Sequence, residues 1–117
     1  FSSLTFTRGV NAFNAGRYKT AIPLFQKVVK MAPAEAIVHY NLGMAYFKDD
    51  NYTAAKASFE TAMHLDYRFE PLSRFYIGLC YYQKGDLDGA RKELQWVAQL
   101  CDNTSLADAA KEVIKTL

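Results

Sequence analysis

The sequence predicts an all-α protein: a stack of three helix hairpins plus a single C-terminal capping helix, forming one domain over residues 1–117. Three observations carry that expectation. Half of the 117 residues are hydrophobic, while only six Gly and three Pro are present, which argues against a disordered or loop-rich chain. A glycine recurs with its surroundings at Gly9, Gly43 and Gly78, at intervals of 43 − 9 = 34 and 78 − 43 = 35 residues. Each glycine segment is followed by a short turn and then by a second apolar pattern of helical period.

The first unit, approximately residues 2–35, opens with Ser2 and Ser3 as helix starts and carries FTRGVNAF in its leading helix. The turn NAGRY at 14–18 follows, then a second helix with Ala21, Phe25 and Val28, closed by Pro33. The second unit, 36–69, repeats this as YNLGMAYF, KDDNY at 48–52, and Ala55, Phe59 and Ala62. The third, 71–103, reads FYIGLCYY, QKGDL at 83–87, and Ala90, Leu94 and Val97. Turns this short permit only antiparallel hairpins. A lone hairpin cannot bury its apolar face, so neighbours stack and share one. A mid-helix glycine, costing ~1 kcal/mol of helix propensity, is tolerated where the adjacent helix must come close. The one-residue excess in the second interval falls within LDYRFEP, residues 65–71, and is expected to lengthen the loop before a helix beginning near Pro71. The last element, 105–117, is predicted as the capping helix, with Ser105 and Asp108 as a capping box and Leu106, Ala109, Ala110, Val113, Ile114 and Leu117 as its apolar stripe.

With its mid-helix glycine, its Gly-Asp/Arg-Tyr/Leu turn and the Ala and Phe of its second helix, the chain resembles the tetratricopeptide repeat family over about residues 1–102. Asp50 departs from that pattern where a turn glycine is usual, His39 and Arg74 where tryptophan is favoured, and Tyr67 and Asp102 where a closing proline is expected. The resemblance implies a right-handed solenoid whose leading helices line a concave, ligand-contacting surface.

The middle leading helix has more apolar surface than one partner can cover. Leu42, Gly43, Tyr46 and His39 gather on one side, expected to meet the partner helix and the neighbouring repeat. Ile37, Tyr40, Met44 and Phe47 form a second stripe, rotated by roughly 130°. The same offset stripe is Phe6, Val10 and Phe13 in the first repeat and Leu72, Phe75, Leu79 and Tyr82 in the third. These residues, with polar anchoring from Asn14, Asn41, Lys48 and Gln83, make the expected peptide-binding groove. An aromatic stripe at helical spacing can also be core. Its recurrence in all three leading helices, beside a complete packing stripe, favours a groove. If Phe6, Phe13, Tyr40, Phe47, Phe75 and Tyr82 each leave ~100 Å² uncovered, the patch reaches ~600 Å², at the upper limit of what monomers expose.

The expected function is a non-catalytic protein–protein interaction module, acting as scaffold, adaptor or chaperone, that binds an apolar peptide or amphipathic helix. The alternative is a self-assembling structural fragment whose groove is filled by a symmetry mate or a flanking segment; a third reading is a carrier of a hydrophobic small molecule. Co-chaperone repeats of this family hold a C-terminal carboxylate with Lys, Arg and Asn. The matching positions here read Phe6, Val10, Asn41, Leu72 and Tyr76, and only the asparagine is present, so that clamp is disfavoured. In architecture the three repeats and apolar groove are more similar to bacterial type III secretion chaperones.

Fourteen Lys and Arg against twelve Asp and Glu leave a net charge of +2 without a block of like charges, so nucleic-acid binding has no electrostatic footprint. No apolar run approaches the ~18 residues needed to span a bilayer. A first residue of Phe points to an excerpt or a processed chain. Antiparallel pairing leaves Cys80 and Cys101 ~15 Å apart, beyond the ~7 Å that a disulfide tolerates, which leans toward a reducing, cytoplasmic compartment. His39 and His64 lack companions at metal-ligand spacing, and Asp49 and Asp50 fall in a turn. No catalytic residue, metal or cofactor is expected.

Overall fold

Helix-forming stretches separated by short turns fold the chain into consecutive antiparallel pairs; the computed structural model describes residues 3–117. Among these, α1 (Leu4–Asn14) pairs with α2 (Tyr18–Met31), α3 (Ala36–Lys48) with α4 (Tyr52–Leu65), and α5 (Glu70–Gln83) with α6 (Leu87–Leu100), while α7 (Thr104–Ile114) closes the C-terminal end. Each helix packs on the ones before and after it in sequence, giving a stack 41 × 25 × 20 Å across. Ser2 lies outside the described residues; Ser3 caps α1, its side chain accepting from the Phe6 backbone N–H at 3.2 Å.

Each hairpin turn contains one left-handed residue. Gly16 and Gly85 hold φ of 76° and 82°, and Asp50, where the family pattern asks for glycine, adopts φ 61°. Aspartate is among the few side chains that tolerate this region, and Tyr52 Oη donates to Asp50 Oδ1 at 2.8 Å. The helices that follow are capped by Asn51 and Asp86, whose side chains accept from Ala54 and Gly89 N–H. Arg17 precedes α2 with no side-chain cap.

The core is the second-helix ladder that the repeat predicts. Ala21, Phe25, Val28, Ala55, Phe59, Ala62, Ala90, Leu94 and Val97 are all 0% exposed. Glycine faces this ladder because nothing larger fits: a Cβ on Gly9, Gly43 or Gly78 would lie 2.7, 2.9 and 2.9 Å from Phe25, Phe59 and Leu94.

The packing face of α3 meets both the partner helix and the neighbouring repeat, as expected, but is wider than periodicity suggests. Gly43 faces α4 and Leu42 turns to Ala21 and Phe25 of α2, where Ala45 joins it, and Val38 is fully buried. Tyr46 straddles both clusters, its hydroxyl accepting from Gln26 Nε2 at 2.6 Å. His39 is tied by a ring nitrogen 2.8 Å from the Pro33 carbonyl oxygen. A helix enclosed between two others buries a wide arc, and a small residue such as Ala45 leaves no mark in a hydrophobic pattern. The equivalent arc of α5 is Ser73, Ile77 and Cys80, at 0%, 2% and 0% exposure. The Ser73 hydroxyl oxygen is buried without a hydrogen-bond partner.

Two further expectations are corrected. The extra residue of the third repeat does not lengthen the connection, because residues 66–69 span the same length as 32–35; α5 absorbs it, running 14 residues to the 13 of α3. A 3-10 turn at Tyr67–Phe69 leads directly into α5, with Pro71 in its first turn, where a missing N–H costs nothing. At α7 the cap is Asn103, whose side chain accepts from Leu106 N–H at 3.1 Å, and Ser105 sits exposed inside the helix. Ala110, Leu106, Val113, Ile114 and Leu117 pack on Ala90, Leu94 and Val97, as the stripe predicts, and Ala107 is buried as well. Arg74 bridges Glu70 and Glu93 at 2.9 Å each and lies 4.8 Å from the Trp96 ring centroid, joining α5 to α6 with polar contacts.

Candidate functional site

The offset stripe runs along α1, α3 and α5, and neither its eleven residues nor the four polar anchors beside it are buried. Phe6, Val10, Phe13, Tyr40, Asn41, Met44, Phe47, Phe75 and Leu79 are half-buried, while Asn14, Lys48 and Gln83 are exposed. Ile37, Leu72 and Tyr82 stand most open among the apolar members, at 36%, 37% and 37% exposure. Helical spacing places these side chains on one flank of each leading helix, where Phe6, Val10, Phe13, Tyr40, Met44, Phe47 and Phe75 rest partly on the buried second-helix ladder and keep part of their surface open.

The middle of the stripe is more consolidated than its ends. The Tyr40 ring meets Phe59, Phe69 and Tyr76 at centroid distances of 5.7, 5.5 and 6.5 Å. Phe47 meets Tyr52 at 5.6 Å and Tyr76 at 5.5 Å, and Phe75 meets Tyr76 at 5.3 Å. Tyr76 is therefore the hub that joins α3 to α5, stacked at 18° on Phe59. Stripe reasoning misses it because Tyr76 occupies the position of Asn41 one repeat earlier, 76 − 35 = 41, where the pattern is polar. Burial, and secondarily Tyr76, push the Tyr40 hydroxyl up to about 12. At the N-terminal end Phe6 tilts against Phe25 at 5.8 Å and Phe13 sits edge-on to Tyr18 at 5.4 Å. Asn41 commits its amide N–H to the Ile37 carbonyl of its own helix at 2.8 Å.

Two open depressions of about 310 and 400 Å³ lie elsewhere, on the first hairpin, lined by residues such as Arg8, Ala12 and Leu24, and Tyr18, Lys19 and Asp49. Both cysteines are free: burial pushes the Cys80 thiol up to about 12, and Cys101 is half-buried beside Asn103. Asp49 is paired with Lys19 Nζ at 3.0 Å. Among the described residues no cluster of three or more His, Cys, Asp or Glu could hold a metal ion, and no helix is long and apolar enough to cross a membrane.

The tetratricopeptide repeat profile matches residues 6–65 and again 40–105, and the chain belongs to that family. Its fold is accordingly a right-handed α-solenoid of three such hairpins plus α7. No curated protein sequence matches the chain significantly. Among solved structures it is similar to the Yersinia enterocolitica type III secretion translocator chaperone SycD, with 22% identity and a TM-score of 0.87 over 96% of this chain and 79% of that one. PcrH in complex with the chaperone binding region of PopD matches with 25% identity and a TM-score of 0.86, over 96% of this chain and 86% of that one. The second such domain of human RPAP3, in complex with the HSP70 peptide SGPTIEEVD, matches with 25% identity and a TM-score of 0.83, over 95% and 92%.

Proposed function

We propose that this protein is a non-catalytic protein–protein interaction module that takes an apolar peptide segment or amphipathic helix along the concave flanks of α1, α3 and α5. The observation that carries the reading is a contrast within one fold. Every ladder position of the second helices is 0% exposed, whereas all eleven stripe positions, each apolar or aromatic, remain open in part. Such a surface favours a ligand that brings its own hydrophobic side chains. The complex of PcrH with a segment of PopD supports a chaperone-like use of this architecture. The acidic-ended peptide held by the RPAP3 domain is the contrasting case. Here Phe6, Leu72 and Tyr76 stand where a carboxylate clamp needs cations and Val10 where it needs an asparagine, which favours apolar over acidic-ended ligands.

The test is binding of the chain to arrayed peptides, one set rich in Leu, Ile and Val and one set ending in acidic residues. Apolar peptides should be retained preferentially, and Ile37→Glu with Leu72→Glu should abolish retention while leaving helical circular dichroism unchanged. Equal retention of both sets, or full binding by the double variant, would remove the basis for the groove.

A further inference from the structure

The first hairpin carries the excess positive charge of the chain. Residues 1–34 hold Arg8, Arg17, Lys19, Lys27 and Lys30 and no Asp or Glu, whereas the remainder has 14 − 5 = 9 Lys and Arg against twelve Asp and Glu. The five cations are scattered along the hairpin, so no run of like charge marks them in the sequence. All are exposed. Lys19 is held by Asp49, but among the described residues Arg8, Arg17, Lys27 and Lys30 form no ion pair.

The repeat register shows what is unusual about this surface. Arg8 and Asn11 occupy the columns of Leu42 and Ala45 one repeat later, 42 − 34 = 8 and 45 − 34 = 11, and of Ile77 and Cys80 in the third repeat. Leu42, Ala45, Ile77 and Cys80 are buried, at 7%, 0%, 2% and 0% exposure. On α1 the same flank is open and carries a guanidinium and an amide. An apolar cover would strip water from Arg8 without giving it a partner, so this flank calls for an anionic one. Arg8 and Arg17 line the open depression of about 310 Å³ between α1 and α2, together with Ala12, Ala15 and Leu24. Gly9 lies against Phe25, which sets Arg8 and Lys27 at a similar height along the hairpin, with Arg17 at its turn.

We infer that this end of the stack docks an acidic peptide segment, with Asp or Glu residues on either side of an apolar one, between α1 and α2. Charge and shape select this occupant. The unpaired cations need carboxylates, and the small apolar lining takes an aliphatic side chain between them. Among the described residues no aromatic ring lines the depression, so the bases of a nucleic acid find no stacking platform there. Arg8 is two residues from both Phe6 and Val10, roughly 160° round the helix, so this inference and the groove reading can fail separately.

Fluorescence anisotropy of the whole chain with a dye-labelled, amidated GEELEEG peptide provides the test, with GQQLQQG as its neutral control. The acidic peptide should bind at least ~tenfold more tightly than the control at low salt, and weaken several-fold between about 50 and 300 mM NaCl. Arg8→Glu with Arg17→Glu should weaken it at least ~tenfold and leave capture of peptides rich in Leu, Ile and Val unchanged. Lys92→Glu with Lys115→Glu, the same change of net charge elsewhere, should alter it less than ~twofold. All four residues are exposed, and an unchanged circular dichroism spectrum checks the fold of each variant. No preference for the acidic peptide overturns the inference. Equal losses in the two variants do so as well, since net charge alone would then explain them. Tighter binding of oligo-dT or of phosphatidylserine vesicles than of the peptide would also overturn it, assigning the face to nucleic acid or membrane.

Discussion

Replacing Gly43 with alanine probes the contact that sets the spacing between helices. An added Cβ would lie 2.9 Å from both Cδ1 and Cε1 of Phe59 and 3.1 Å from Cζ. Carbon atoms prefer ~3.5–4.0 Å, so ring and helix must separate by roughly half an ångström or more. Phe59 has nowhere to go: it is 0% exposed, stacked on Tyr76 at 5.5 Å and tilted against Tyr40 at 5.7 Å. Alanine recovers ~1 kcal/mol of helix propensity, whereas overpacking a tight core costs ~1–3 kcal/mol. Because Phe59 is enclosed, the cost falls in the upper part of that range, ~2–3 kcal/mol, and the net expectation is a loss of ~1–2 kcal/mol, read as a Tm lowered by ~3–10 °C in thermal melts followed by circular dichroism. Phe59→Leu should absorb part of the clash, so the double variant should lose ~1 kcal/mol less than the sum of the singles. Gly43→Ala with unchanged or raised stability, or a strictly additive cycle, would refute close approach as the reason for the glycine.

Other consequences are equally direct. Ser73→Val should raise urea stability by ~1–2 kcal/mol, because it removes a buried, unpartnered hydroxyl where Val38 fills the equivalent site; a loss would mean that the hydroxyl is satisfied in solution. Ellman's reagent should titrate Cys101 in the native protein and Cys80 only on unfolding, and rapid reaction of both thiols would contradict the burial of Cys80. Tyr40 and Cys80 both prefer their neutral, protonated forms in the fold, with values raised from 10.0 and 9.0 to about 12. Their contribution to stability is therefore complete below pH 9 and is lost as pH climbs toward 12, so the urea midpoint should decline across that window and decline less in Tyr40→Phe. Tyr40→Glu with Phe47→Glu should weaken the fold as well as any binding, because both rings hold Tyr76; unchanged stability would show that the α3–α5 hub contributes little.

Much of this architecture is legible in the residues because three copies of one pattern constrain each other. The glycines, the Ala–Phe ladder and the hairpin turns recur at one period, and a recurring steric demand is visible without coordinates. Residues whose role depends on which neighbour arrives are not visible in this way. Ala45 and Ser73 are buried between repeats, yet their size or polarity gives no apolar signal. Tyr76 occupies a polar column of the repeat and becomes the aromatic hub only because α3 brings Tyr40 and Phe47 against it. Asn103 and Ser105 are comparable caps in sequence, and the path of the chain out of α6 selects Asn103.

Sequence alone determined the helices, their antiparallel pairing and the positions that must be small, since these follow from spacing along a single chain. Tertiary structure decided where the extra residue of the third repeat goes and how the aromatic stripe divides between the Tyr76 hub and the open ends at Ile37, Leu72 and Tyr82. Those outcomes depend on distances between residues about 35 positions apart, and such distances exist only once the hairpins have stacked.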